Sequence, residues 1–454
     1  EMDAVLRAQM DEAGYIQEVC LDGETLIKTP KGLKKIKEIT TLDKVYDKNG
    51  VVSAIWQNPR VTGIKDVFRY TVSDGSCVEC TSDHKFPDEL GNKEEIGSLK
   101  YLQKKFNRRN YSVNREEIYA RLIGYSLGDG TIPSARLSSH FYANSSISLE
   151  PLLTDIKELY PNFNGKIRVD TTGGNENTSA LCTKVLPRAT VECSVNITKD
   201  LIEKGAVRGK KVYQDFDIPD FVKKGTKGVK SNFIGALFGA EGCISVESNG
   251  ILKQPTLTMT KRSKKDGFVF FNSLVDLLKD FGIVSTYSIS EVVVPSKLNR
   301  PSYTSFNFVL RISSDLPNLK TFLTDIPISY CYEKELKAER VLQYIRDYEF
   351  LVKKAKEDST LVRELVKNGK PSREIQLLLN LSKSTVEKYR NNITPTRVPS
   401  RFGFENCFNY LEVCLDGYIA SFITDREHLG KREVYNLGVS TEDTSYLLGN
   451  DILT

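Results

Sequence analysis

No run of roughly 18 apolar residues occurs anywhere in the 454-residue chain, so no membrane-spanning helix is expected. No charged-then-apolar leader opens it either; Glu1 to Val19 (EMDAVLRAQMDEAGYIQEV) patterns as an amphipathic helix. The nine cysteines are odd in number and scattered, which argues against a disulfide framework and for a reducing, cytoplasmic compartment. Cys77 and Cys80 form a CxxC with no second pair at zinc spacing, so they read as buried strand cysteines and no zinc is assigned. Histidine is scarce, at positions 84, 140 and 428 only.

The length exceeds what one hydrophobic core supports, which predicts two to four domains. Apolar residues at 40% and charged residues at 27% are ordinary for a soluble globular protein. The net charge of +5 is uneven: residues 351–400 hold eleven Lys and Arg against five Asp and Glu, a local +6. A basic block of that kind favours a polyanion partner. From Cys20 to about Lys104, short stretches such as ETLIKT, KKIKEI, DKVYD, SAIWQN and FRYTV are separated by turn residues and read as an all-β unit. Helix-period runs start near Arg115 and again near Lys230, and further helical patterns fill 334–368 and 371–391. Residues 407–454 are β-rich again, so one β-domain split by an insertion is expected.

Two apolar helical runs end in the same way. Leu122-Ile123-Gly124-Tyr125-Ser126-Leu127-Gly128 leads into Asp129-Gly130, and Phe233-Ile234-Gly235-Ala236-Leu237-Phe238-Gly239-Ala240 leads into Glu241-Gly242. Gly124 with Gly128, and Gly235 with Gly239, are small residues at helical spacing that let two backbones approach closely. Each helix stops at a glycine after one carboxylate, so paired helices would bring Asp129 and Glu241 together. Two adjacent carboxylates are costly without a cation, and magnesium prefers such oxygen ligands. These segments resemble the paired LAGLIDADG motifs of homing endonucleases. The stretch LTMTKRSKK and the helical pattern FVFFNSLVDLLKDFGI after the second motif fit the same family. The resemblance implies a monomer with two pseudo-symmetric α/β halves forming a β-saddle on double-stranded DNA, and a Mg2+-dependent double-strand cut. Tyr125-Ser126 and Glu241 depart from the family consensus, but both motifs keep a carboxylate. Family members often add a catalytic lysine, for which Lys261 and, in the other half, Lys166 are the candidates; each also reads as a solvent-facing or phosphate-contacting lysine.

The flanking β-rich segments carry a different chemistry. Cys20 opens the first, and Thr81-Ser82-Asp83-His84 follows a strand about sixty residues later. A nucleophile at the start of a β-domain with T-x-x-H after a strand resembles the first splicing blocks of inteins, the Hint-type fold. By that resemblance Cys20 attacks the Val19 carbonyl to form a thioester, and Thr81 and His84 polarise and protonate the scissile bond. No cofactor is needed for splicing, and the partners are the flanking extein sequences. Arg432 to Val439 and Ser445 to Thr454 resemble the last intein block, with Asn436 where the family often has Asp and Thr444 where it often has His. The block's terminal His-Asn does not follow Thr454, so the C-terminal step is expected to be blocked here.

Lys370 to Arg390 reads as a helix-turn-helix. Ser372 is a plausible cap for its first helix, Ile375, Leu378 and Leu379 face inward, and Ser382 caps the second helix. Arg373, Lys383, Ser384, Thr385, Lys388 and Arg390 are the candidate DNA contacts, against the alternative of a helical hairpin with no ligand. The expected fold class is multidomain: an all-β splicing domain in two parts (20–110 and 401–454), an α/β endonuclease (111–345) and a small all-α helix-turn-helix (346–400), after a flanking segment (1–19). The uninterrupted host-gene site is the expected DNA partner, with no membrane association. Two other readings stay open: an intein whose nuclease has decayed to DNA binding, and a transcriptional regulator built on the helix-turn-helix. The second leaves Cys20 and His84 without a role.

Overall fold

The computed structural model describes residues 20–170, 188–244, 252–294, 302–439 and 445–454. The helix expected over Glu1 to Val19, and Thr444, lie outside the described residues. The chain divides into two compact units, one made of residues 1–106 with 343–454 and the other of 107–342.

From Cys20 the first unit runs through β1 (Leu21–Asp22), β2 (Leu26–Thr29), β3 (Gly32–Lys35), a 3-10 turn (Ile36–Glu38), β4 (Lys44–Tyr46), β5 (Val52–Val72), β6 (Cys77–Cys80), β7 (Lys85–Pro87), β8 (Lys93–Glu95) and β9 (Tyr101–Lys105). SAIWQN and FRYTV are the two ends of one 21-residue strand, β5. The two were expected as separate stretches, and Pro59 and Gly63 lie between them. Instead, the ladder shifts register beside them, between Asn436 and Gly438 and between Val434 and Tyr435 of the partner strand, so the proline costs no needed donor.

The second unit is built twice from one plan. Its first half runs α1 (Arg115–Asp129), β10 (Gly130–Thr131), β11 (Ser139–Ala143), α2 (Ser146–Leu159), β12 (Arg168–Asp170), β13 (Arg188–Cys193) and α3 (Val195–Glu203). After the short α4 (Asp220–Lys223), the second half runs α5 (Lys227–Glu241), β14 (Gly242–Cys243), β15 (Thr256–Lys261), α6 (Lys265–Lys279), β16 (Ser285–Val294), β17 (Tyr303–Ile312) and α7 (Leu316–Asp325). The four-stranded sheets have matching orders, β10-β11-β13-β12 and β14-β15-β17-β16. Both leading helices have side-chain caps: the Asn114 oxygen accepts from the Glu116 and Glu117 amides, and Thr226 accepts from Val229.

A 36-residue helix, α8 (Tyr332–Lys367), carries the chain from the second unit back into the first. It leads to α9 (Ser372–Leu379), α10 (Lys383–Arg390), α11 (Cys407–Glu412) and the 22-residue β18 (Tyr418–Val439). β18 closes the first unit by pairing with β1, β5 and β9, in a six-stranded sheet of order β4-β5-β6-β1-β18-β9. The core of this unit takes residues from both ends of the chain, including Leu21, Ile27, Val45 and Phe86 with Leu437, Leu448 and Ile452. Buried Asp347 ties the returning part of α8 to the sheet by accepting from Ser73 Oγ, from Gln343 at 2.8 Å and from the Phe422 amide at 3.2 Å. Among the described residues, no helix is long and apolar enough to cross a membrane.

Candidate functional site

The twin helices α1 and α5 are buried nearly all round and pack on each other without room for a methyl group. A Cβ on Gly124 would stand 2.4 Å from the Phe233 carbonyl oxygen, and one on Gly128 would stand 2.5 Å from the Ala240 Cβ. Gly235 and Gly239 serve another neighbour: their missing Cβ atoms leave space for the carbonyls of Pro327 and Ser329, at 2.0 and 1.8 Å. The glycine pairs expected to line one helix-helix seam therefore line two. Arg121, fully buried in α1, fixes the pair by a bidentate bond to Asp155 of α2 (2.7 and 2.9 Å) and a 2.8 Å bond to Asn232 of α5.

At the foot of the pair, Asp129 and Glu241 are exposed neighbours. The Glu241 carboxyl carbon is 3.2 Å from where a Cβ on Gly128 would sit, one residue before Asp129. Neither carboxylate has a hydrogen-bond or ion-pair partner among the described residues. Partial desolvation raises the pKa of both acids, and the Asp129 charge pushes Glu241 further up.

Two lysines that the sequence did not mark stand at these helix ends. Lys211 donates to the carbonyls of Ser126, Leu127, Gly128 and Gly130 at 2.7 to 3.1 Å. Lys334 donates to Gly239 and Ala240 at 2.7 and 2.6 Å. A helix C-terminus leaves its last carbonyls unpaired and carries partial negative charge, so an ammonium satisfies both needs. Burial pushes Lys211 down to about 8, while Glu241 and Asp129 pull it back up. The two lysines expected here lie elsewhere. Lys166 is exposed ahead of β12. Lys261 is 1% exposed, donates to the carbonyls of Lys211 and Gln214 at 3.1 and 2.9 Å, and lies 3.5 Å from the Phe216 ring centre. Burial lowers it to about 8. Lys261 thus holds the segment from which Lys211 reaches the carbonyls at the end of α1. Among the described residues, no cluster of three or more His, Cys, Asp or Glu could hold a metal. A magnesium site here would rest on the two carboxylates, with water and phosphate as the other ligands, which is how this ion is commonly held.

The second centre lies in the first unit. β1 is clamped between β6 and β18, with Leu21 paired to Cys80 on one side and to Tyr435 on the other. Carrying that register back one residue puts Asn436 across from Cys20. Cys20 is fully buried, and its carbonyl accepts from the Thr81 amide at 3.1 Å and the Thr81 hydroxyl at 3.4 Å. The His84 amide donates to the Thr81 carbonyl at 3.1 Å, forming the turn that places the imidazole against the Cys20 main chain. Burial pushes His84 down to about 3, so the ring is neutral at ordinary pH, and its Nδ1 is buried without a hydrogen-bond partner. The Thr454 amide and hydroxyl donate to the Tyr446 carbonyl at 3.0 and 3.3 Å, and isolated bridges join Leu448 to Ile27 and Ile452 to Lys104.

The helix-turn-helix segment packs on the end of α8. Ile375, Leu381, Val386 and Tyr389 form a small core with Val362 and, at its edge, Leu379. Ser382 caps α10 by accepting from the Thr385 amide, and Asn380 takes a left-handed turn at φ 48°. Two expectations fail: Pro371, not Ser372, is the first helix's cap, without a side-chain bond, and Leu378 faces outward at 59% exposure. Arg373, Lys383, Ser384, Lys388 and Arg390 are exposed, while Thr385 is half-buried with its hydroxyl 2.9 Å from Ser382 Oγ.

No family model matches the chain. It is 25% identical over 319 residues to the tRNA-splicing ligase RtcB of Methanopyrus kandleri, covering 67% of this chain and 31% of that protein. Against the replication factor C small subunit of Methanocaldococcus jannaschii it is 24% identical over 360 residues, covering 75% of this chain and 18% of the other. The RNA polymerase subunit Rpo1N of the same organism is 23% identical over 407 residues, or 72% of this chain and 28% of that one. The chain thus spans about a third or less of each of these relatives. Among solved structures, mesophilic variants of the homing endonuclease I-DmoI align with a TM-score of 0.29 and 16% identity, over 47% of this chain and 92% of theirs. The gp41-1 intein aligns with a TM-score of 0.18 and 31% identity, over 19% of this chain and 68% of its own.

Proposed function

We propose that the chain is an intein: a self-processing β-unit with Cys20 as its nucleophile, interrupted by a two-motif endonuclease that cuts double-stranded DNA at Asp129 and Glu241. The observation that carries this reading is the split unit. Residues 20–106 and 343–454 fold together around β1, with Cys20 at its start, and the intervening residues form a unit of their own. The relatives support it. A ligase, a replication factor and a polymerase subunit are named for unrelated tasks, yet each matches most of this chain over a minor part of itself. A segment that moves between hosts, independent of what each host does, accounts for that pattern.

In the endonuclease unit, the two unpartnered carboxylates would hold Mg2+. When bound, it supplies an activated water and neutralises charge on the leaving phosphodiester oxygen. Lys211 and Lys334 fix the helix ends and place positive charge beside the acids, and Lys261 holds Lys211 in position. The exposed basic residues of α9 and α10 add a second DNA contact in this reading, extending the site through effective concentration. In the β-unit, Thr81 orients the Cys20 main chain, and neutral His84 can donate a ring N–H at the scissile peptide.

The test has two arms. Full-length protein is incubated with DNA spanning the rejoined insertion site, with and without Mg2+; Asp129→Asn should abolish cutting while leaving binding intact. Bound but uncut DNA with the unaltered chain would instead mark a decayed nuclease. In the second arm, thiol treatment should release residues 1–19, read by mass. A Cys20→Ser chain that releases them equally under thiol would refute the thioester.

A further inference from the structure

The Cys20 side chain is packed between Val67 and Val434, yet two polar groups from the middle of β5 reach its sulfur. Thr62 Oγ1 stands 2.8 Å from Sγ, and Lys65 Nζ donates to Sγ at 3.5 Å. The Thr62 hydroxyl also donates to the Val434 carbonyl at 3.2 Å. While its proton is spent there, its lone pairs can accept from the thiol S–H; once the thiol has ionised, the same proton can turn to the sulfur. Lys65 has only protons to offer, so its bond to Sγ strengthens when the sulfur is an anion.

Among the described residues, the other groups near Cys20 do not supply that charge. His84 lies against the Cys20 main chain and is neutral, Tyr446 is a buried phenol, and Asn436 across the ladder is an amide. Asp22, the next residue but one, is engaged by Arg432 at 3.1 Å, and Asp66, beside Lys65, is 2.9 Å from His428. A buried thiol resists ionisation, and an adjacent ammonium is the standard way to reverse that.

We propose that Lys65 is the catalytic cation that holds the Cys20 sulfur as a thiolate for attack on the residue-19 carbonyl, with Thr62 as the positioning hydroxyl. This rests on the reading of Cys20 as the self-processing nucleophile. In the step, a C–S bond forms at that carbonyl carbon and its C–N bond to Cys20 breaks. The proton given up by the thiol is matched by the one taken up by the departing nitrogen, so the shift is an isomerisation with no co-reactant.

The experiment uses the full chain with residues 1–19 attached. Dithiothreitol-driven release is followed by mass from pH 6 to 9, and the Cys20 13Cβ shift is titrated by NMR in cysteine-labelled protein, assigned with Cys20→Ser. Removing the ammonium in Lys65→Met should slow release about tenfold near neutral pH and move the 13Cβ midpoint up by about one pH unit. Lys65→Arg should restore both, since it keeps the charge. Thr62→Val should slow release with a smaller shift of the midpoint. Lys65→Gln serves the same purpose if the methionine variant loses its folded spectrum. Normal release by the unaltered chain, with rate and midpoint unchanged in the Lys65 variants, overturns the proposal. An unaltered chain that releases nothing at any pH instead overturns the self-processing reading, and the 13Cβ titration still decides in that case whether Lys65 governs the thiol.

Discussion

Less than a methyl group's width separates α1 from α5 at Gly124. Gly124→Ala places a carbon 2.4 Å from a backbone oxygen, which cannot move without displacing its helix. The expected cost is about 2–4 kcal/mol, somewhat above common overpacking penalties because the obstacle is main chain. Urea unfolding of the second unit would measure it, and an unchanged midpoint would deny the close packing. His84 makes a residue-scale prediction for the other unit. Its folded pKa of about 3 lies below the ordinary value of 6.5, so the unfolded chain binds a proton that the folded chain refuses. Stability is therefore complete above about pH 6.5 and falls by about 1.4 kcal/mol for each unit of acidification from there down to about pH 3. In His84→Gln, the drop in urea midpoint between pH 6.5 and 5 should shrink accordingly; equal drops in both proteins would show that the imidazole is not held neutral.

How much of the site could be read in advance also follows from residue physics. The acids were legible because a carboxylate just before the glycine that ends an apolar helix is a local pattern. The direction in which Gly235 and Gly239 face was not. In α5, residues 231–240 are all buried, and a helix buried on every side has no apolar stripe to reveal which neighbour each position meets. Lys211 and Lys334 were illegible for another reason. Their partners are backbone carbonyls, which every residue has, so no sequence pattern marks the pairing. Lys261 was singled out by its place in a strand and then proved to face inward.

At the scale of elements, the repeated order of helices and strands in the second unit was foreseen in outline, whereas the continuity of β5 was not. Pairing with the 22-residue β18 overrides the local breaking tendency of Pro59 and Gly63. The helix-turn-helix shows the same tension between run and period. Leu377, Leu378 and Leu379 are successive, and three successive positions sweep more than half of a helix's circumference. They cannot all face one core. Leu379 turns in, and Leu377 and Leu378 are 80% and 59% exposed. Ile375→Ala should therefore cost about 2–4 kcal/mol, while Leu378→Ala stays within about 0.5 kcal/mol. Ser382→Ala should cost about 1 kcal/mol through the lost α10 cap. Urea unfolding of the three variants ranks them directly. A Leu378→Ala penalty equal to that of Ile375→Ala would reverse the orientation of α9.

For the whole molecule, the central question is whether the β-unit needs what interrupts it. Its core draws Leu21, Ile27 and Phe86 from one end of the chain and Leu437, Leu448 and Ile452 from the other. The returning helix is held to the sheet by Asp347 through Ser73, Gln343 and Phe422, all four belonging to the same unit. A chain in which residues 107–342 are replaced by about 20 Gly and Ser residues has an end-to-end reach of about 25 Å, and closing a loop of that length costs little more than closing a shorter one. That shortened chain should fold cooperatively and still release residues 1–19 under thiol at a rate within about threefold of the full chain, since the Cys20, Thr62, Lys65, Thr81 and His84 contacts are all internal to the retained unit. It should no longer cut DNA, and chelating Mg2+ should abolish cutting by the full chain while leaving thiol release untouched. Two independent losses would show two machines on one chain. A shortened chain that folds but has lost thiol release would mean that the insert supports the chemistry of Cys20, and that the split unit alone does not account for it.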